Sequence, residues 1–128
     1  MSANKDKTQV SFKKKKLNLP KGKEASVLIL NGPEMGKKQK LTANPSVLGR
    51  DKKADFVIAN ATVSRRHALI NYQNGKYVLK DLKSTHGTFI RKSRIDEVDI
   101  IHGDKFQMGN CLAQFIIEDE RDETQAKK

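Results

Sequence analysis

Missing from this chain are a second cysteine, a long apolar run and a sustained helical period. Among its 128 residues Cys111 is the only cysteine, which excludes an internal disulfide. Its place in the run Cys111-Leu112-Ala113-Gln114-Phe115-Ile116-Ile117 suits a reduced, buried thiol. No run approaches the roughly 18 to 20 apolar residues of a membrane-spanning helix. The amino terminus also lacks the apolar segment of a secretory signal, so a soluble, cytoplasmic protein is expected. His67, His86, His102 and Cys111 show none of the close paired spacings of zinc sites, and neither a metal nor another cofactor is expected. Ser64, His67 and Asp81 supply the residue types of a hydrolytic triad, but the serine stands outside any nucleophile-elbow context. The expectation is therefore a non-enzyme.

What the chain does have is positive charge, +11 in all, and its distribution is uneven. Residues 1–25 hold eight basic and two acidic side chains, residues 26–117 fifteen and eight, and residues 118–128 three and five. Lys13-Lys14-Lys15-Lys16, flanked by Lys5, Lys7, Lys21 and Lys23, leaves residues 1–25 with little to build a core from. That segment reads as a flexible basic tail. Residues 118–128 read as a charged linker or a truncated C-terminal end, and the chain as the regulatory domain of a larger signalling protein. One domain of ordinary size fits the length between them, over residues 26–117.

Within that span, apolar runs of three to seven residues alternate with turn residues, the pattern of strands. Val27–Leu30, Phe56–Ile58, Ala68–Tyr72, Lys76–Leu79, Thr88–Ile90, Val98–Ile101, Lys105–Met108 and Cys111–Ile117 are the candidates. Asn74-Gly75 is the clearest hairpin signal, because a two-residue type I′ turn needs positive φ at both central positions. Many short strands without helical crossovers indicate antiparallel pairing in two stacked sheets, an all-β sandwich. Turns then gather at the ends, where residues distant in sequence can share one surface.

Three turn-like segments carry the chemistry: Gly49-Arg50, Ser64-Arg65-Arg66-His67 and Ser84-Thr85-His86-Gly87-Thr88. A phosphorylated side chain bears about −1.5 to −2 charges and several acceptor oxygens, so its receptor needs fixed cations and short donors. The Arg50 guanidinium can hold two phosphate oxygens in parallel, with Gly49 letting the backbone bend and leaving room for close approach. Ser64 and Thr85 supply hydroxyls, Arg65 a second cation, and Gly87 the freedom for its loop to turn. Taken singly, each residue has an ordinary explanation. Together, in this order, they read as a phosphate site.

Leu48-Gly49-Arg50, Ser64-Arg65-Arg66-His67-Ala68 and Asp81 to Phe89 resemble the three signature segments of the forkhead-associated (FHA) domain, over about residues 26–117. The resemblance implies an eleven-stranded β-sandwich that reads phosphothreonine peptides with loops at one end and performs no catalysis. It implies Arg50 and Ser64 as the main phosphate ligands, Thr85 completing the contacts, Arg65 supporting them, and His67 bracing the serine loop. It differs where the family usually has Asn-Gly-Thr and this chain has His86-Gly87-Thr88. A further asparagine is also replaced by Arg91 or Lys92. A histidine lacks an amide's paired donor and acceptor, so the grip of His86 on the peptide backbone is expected to differ.

The expected partner is a phosphothreonine protein or peptide, with a Ser/Thr kinase acting upstream. Phosphorylated Thr8, in the tail, is a candidate internal ligand. The rival is weakly specific binding of nucleic acid or an anionic surface by the lysine-rich tail, falling steeply with salt. Only Phe12, Leu17 and Leu19 offer apolar contacts there, and no aromatic series is present for base stacking.

Overall fold

Alternation of buried and exposed positions organises the strands. In the computed structural model, which describes residues 22–119, β1 (Lys23–Ile29) buries Ala25, Val27 and Ile29, and β11 (Cys111–Asp119) buries Cys111, Ala113 and Phe115. The two pair antiparallel along seven residues, with Val27 opposite Phe115 and Ile29 opposite Ala113. Side chains of period two therefore line one face of a sheet. The other strands are β2 (Lys38–Lys40), β3 (Ser46–Gly49), β4 (Phe56–Val57), β5 (Ala68–Gln73), β6 (Lys76–Asp81), β7 (Thr88–Ile90), β8 (Ser93–Ile95), β9 (Glu97–Ile100) and β10 (Lys105–Met108).

They form two sheets, in the orders β2-β1-β11-β10-β7-β8 and β4-β3-β5-β6-β9. Phe56 and Leu48 from one sheet and Phe106, Met108 and Phe115 from the other belong to a single core. Each fully buried phenylalanine there contributes about 1.5–3 kcal/mol relative to exposure. The eleven-stranded sandwich expected from the sequence is the observed fold.

Some particulars differ from the expectation. The β3–β4 pair is parallel, with Leu48 opposite Phe56. The chain turns at Asp51–Ala54, and the Asp55 carboxylate accepts the Val47 amide at 2.8 Å, returning it to the start of β3 before β4 sets out. Strand β1 begins at Lys23 rather than near residue 26, and β11 runs on to Asp119, because Lys23 pairs with Asp119 and Glu24 with Glu118. The Lys23 ammonium also donates to Asp119 at 2.7 Å. The basic segment before residue 22, with Thr8, and the charged residues after 119 lie outside the described residues.

The Asn74-Gly75 hairpin is as expected, with φ of 55° and 79° between Gln73 and Lys76. A second hairpin, β7–β8, turns through Arg91 and Lys92 at φ of 50° and 69°. Strands β2 and β8 are edge strands of mostly polar sequence, Lys-Gln-Lys and Ser-Arg-Ile. Without an apolar alternation they carry no strand signal of their own.

Candidate functional site

The β3–β4, β4–β5 and β6–β7 loops and the β10–β11 turn are stitched together at one end of the sandwich. Arg50 leaves β3 with its amide donating to the Ser64 carbonyl at 3.0 Å, and the next amide, of Asp51, donates to the Arg65 carbonyl at 3.1 Å. Gly49 makes this approach possible: a Cβ there would stand 2.0 Å from the Arg65 carbonyl oxygen. Its role is thus to admit the neighbouring loop.

Arg50 is exposed, and its Nε donates to the Val63 carbonyl at 2.8 Å. That bond orients the guanidinium and leaves the two terminal nitrogens as a forked donor pair, suited to two oxygens of one anion. Ser64 is held beside it. The Ser64 Oγ accepts the amide of Thr85 at 3.0 Å, which leaves its own proton to donate outward. Thr85 is exposed at the tip of the third segment, and Arg65 is exposed on the second.

His67 fastens the two loops from below and is fully buried. Its Nδ1 accepts the Ser64 amide at 2.9 Å, so the proton resides on Nε2, which donates to the Gly87 carbonyl at 2.9 Å. Burial lowers its pKa from the usual 6.5, outweighing upward pulls from the Gly87 carbonyl and the Asp81 charge. The imidazole is accordingly a neutral crossbar between the loops that carry Ser64 and Gly87.

Asp81 organises the third segment. Its Oδ1 accepts the Ser84 and Thr88 hydroxyls, each at 2.6 Å, and its Oδ2 accepts the Ser84 amide at 3.1 Å. Burial pulls its pKa upward, but those three bonds and the nearby His67 together bring it below the ordinary value. The Ser84 Oγ in turn accepts the Gly87 amide at 2.9 Å. Gly87 itself holds φ of 89° with Arg94 packed against it, so its glycine requirement is conformational. Asp81, His67 and Ser64 therefore form no relay: the histidine nitrogens are taken by backbone groups of Ser64 and Gly87, and Asp81 by two other hydroxyls.

A further cluster escaped the sequence reading. The Thr62 Oγ1 accepts the Asn110 amide at 2.9 Å and lies 2.7 Å from Asn60 Oδ1 and 3.0 Å from Asn110 Oδ1. The His86 Nδ1 lies 3.1 Å from the Thr62 carbonyl. A carbonyl only accepts, so Nδ1 carries a proton, and in the neutral ring Nε2 then presents a lone pair. Asn60 and Asn110 are fifty residues apart, and nothing local in the sequence links them. Gly109 lets their loops meet, because a Cβ on it would come within 2.3 Å of the Thr62 carbonyl oxygen.

The FHA domain family model matches residues 46–109, which include all three segments. The chain belongs to the FHA domain family. It is similar to the glycogen accumulation regulator GarA of Mycolicibacterium smegmatis, with 30% identity over 98 residues, covering 77% of this chain and 61% of that protein. It also resembles the oxoglutarate dehydrogenase inhibitor of Corynebacterium efficiens, with 29% identity covering 77% of this chain and 69% of that one. The FHA chain thus spans about three fifths of the length of the first curated relatives it matches. A solved structure from a study of phosphothreonine-dependent FHA domain interactions superposes with a TM-score of 0.68 at 25% identity, covering 76% of this chain and 99% of that one. The Mycobacterium tuberculosis protein EmbR in complex with a low-affinity phosphopeptide superposes with a TM-score of 0.67 at 28% identity, covering 77% of this FHA chain and 26% of EmbR.

Proposed function

We propose that this FHA domain is a phosphothreonine-dependent protein-interaction module, acting as a regulatory element and not as an enzyme. The observation that carries this reading is the convergence of Arg50, Ser64 and Thr85. The Arg50 amide meets the Ser64 carbonyl, the Thr85 amide meets the Ser64 hydroxyl, and Arg50 Nε is pinned to Val63. In this reading the terminal nitrogens of Arg50 and the hydroxyl of Ser64 hold the phosphate, with Thr85 and Arg65 adding a second hydroxyl and a second cation. The His86 Nε2 accepts a backbone amide of the peptide. Gly49, His67 and Gly87 keep the loops in register.

A Ser/Thr kinase generates the ligand, and the reducing cytoplasm is the compartment that suits the buried thiol of Cys111. No helix among the described residues is long and apolar enough to cross a membrane. Phosphorylated Thr8 is a tethered ligand for the same loops, at an effective concentration on the order of millimolar. Unchanged pocket resonances in NMR spectra of the Thr8-phosphorylated chain would remove Thr8 from the scheme.

Titration of the chain with a phosphothreonine peptide and its unphosphorylated counterpart tests the function. Arg50→Ala should leave the domain folded and weaken binding by about tenfold to 150-fold, the equivalent of losing roughly 1.5–3 kcal/mol of charge-assisted hydrogen bonding, and by more where the phosphate is left unpaired. Undiminished affinity in that variant would place the pocket elsewhere.

A further inference from the structure

The loop end carries more positive charge than a single phosphate uses. Beyond Arg50 and Arg65 it places Lys52 and Lys53 in the β3–β4 loop, Arg66 in the β4–β5 loop and Lys83 in the β6–β7 loop, all four exposed. The Asp51 amide bond to the Arg65 carbonyl and the Leu82 amide bond to the His67 carbonyl, 3.1 and 2.8 Å, hold these loops side by side. The four cations therefore share one end of the molecule.

Three carboxylates stand among these six cations, keep their charge, and direct their oxygens to backbone amides and hydroxyls. Asp51 accepts the Lys53 amide at 2.9 Å, Asp55 accepts the Val47 amide at 2.8 Å, and Asp81 is committed to Ser84 and Thr88. Elsewhere five lysines find acidic partners: Lys23 with Asp119, Lys37 with Glu34, Lys38 with Glu118, Lys40 with Glu24 and Lys76 with Asp99. Among the described residues no ion pair includes Lys52, Lys53, Arg66 or Lys83. Two further details bear on the surface they form. Lys53 and Arg66 line one recess of about 280 Å³ together with Val47, Asp51, Ala54 and Asp55. Lys83 holds φ of 58°, a conformation glycine or asparagine takes with less strain, so a cation occupies a place beside the site that backbone preference alone would not give it.

We infer that this end selects phosphothreonine flanked by aspartate or glutamate, the flanking carboxylates being held by Lys52, Lys53, Arg66 and Lys83. The inference rests on the phosphopeptide reading of the same site and adds to it the chemical class of the surrounding sequence. An exposed charge contact multiplies affinity by about 1.4 to 5, so two or three together give about tenfold. The attraction also speeds encounter and is screened by salt, unlike the short contacts to the phosphate.

The experiment titrates the full chain with four peptides of equal length: phosphothreonine with acidic flanks, phosphothreonine with neutral flanks, and the unphosphorylated version of each. At low salt the acidic phosphopeptide should bind about tenfold more tightly than the neutral one, and the ratio should shrink when ionic strength is raised to about 0.5 M. In the Lys52→Ala, Arg66→Ala, Lys83→Ala triple variant the ratio should fall below about threefold. Equal affinity for the two phosphopeptides would overturn the acidic preference and leave phosphothreonine recognition standing. A ratio that survives in the triple variant would also overturn it, by assigning the preference to cations elsewhere in the chain. If neither phosphopeptide binds, or the unphosphorylated acidic peptide binds as well as its phosphorylated form, the reading of the site falls with it.

Discussion

His67 shows how one side chain ties stability to the binding loops. Its neutral imidazole accepts from Ser64 and donates to Gly87, and burial holds its folded pKa below the usual 6.5. Above that pH the ring is neutral in both folded and unfolded chains and contributes no pH dependence. Below it the unfolded chain takes up a proton that the fold resists. The contribution of His67 should therefore be flat above about pH 7 and fall as the pH drops below about 6.5, by at most about 1.4 kcal/mol per pH unit, until the lowered folded pKa is reached. Asp81 adds a second decline under strongly acidic conditions, since its folded pKa also lies below the ordinary 3.8. Urea unfolding at pH 7.5, 6 and 5 checks the first decline, and in His67→Gln that slope should be absent. Tyr77 offers a contrast. Its hydroxyl is buried without a hydrogen-bond partner among the described residues, and its pKa is pushed up to about 12 by burial and, second, by Tyr72. Tyr77→Phe removes a desolvated polar group and breaks no bond, so it should leave stability unchanged or raise it by up to about 1–3 kcal/mol in the same denaturation assay. A loss would reveal a partner for the hydroxyl.

At the level of elements, turn chemistry decides how much of the fold can be read locally. Asn74-Gly75 announces its hairpin because both residue types tolerate positive φ. Arg91-Lys92 makes the same kind of turn between β7 and β8 with two residues that do not, and its sequence gives no sign of it. The turn is imposed by the pairing of Thr88 with Ile95 and Ile90 with Ser93, at a local cost. The Arg91→Asn, Lys92→Gly double variant should accordingly stabilise the domain by about 1–2 kcal/mol, seen as a higher urea midpoint with an unchanged denaturant slope. Strand β4 is a similar case. Phe56-Val57 was legible as apolar, yet its parallel alignment with β3 depends on the Asp51–Ala54 turn and on Asp55 reaching Val47. Gly49 was legible as a place of close approach, but not what approaches it, since that atom belongs to Arg65, sixteen positions away.

Across the whole molecule, Cys111 reports on the integrity of the sandwich. It is 1% exposed, in β11 between the paired β1 and β10, and burial, with a smaller contribution from Glu34, pushes its thiol pKa up to about 11. Only the thiolate reacts readily with alkylating reagents. At neutral pH iodoacetamide should modify the native domain very slowly and the urea-unfolded chain rapidly, as followed by mass spectrometry. Fast native labelling would mean that β11 opens independently of global unfolding. The same scale governs charge: four of the ion pairs among the described residues join strand residues, as Lys38 and Glu118 do, and none includes Lys52, Lys53, Arg66 or Lys83 of the loop end.

Sequence by itself determined the class of fold and the identity of the phosphate-site candidates. Period-two burial, short runs and turn residues permit little but stacked antiparallel sheets, and the order of Arg50, Ser64 and Thr85 marks three loops of one family. Tertiary structure alone decided how those loops meet: the His67 crossbar, the Asp81 hub, the Thr62, Asn60 and Asn110 cluster, and the steric need for glycine at 49 and 109. The physical reason is range. Periodicity and turn propensity act between near neighbours in the chain, whereas a hydrogen bond or a carbonyl 2.0 Å from a would-be Cβ depends on segments that only the completed sandwich brings together.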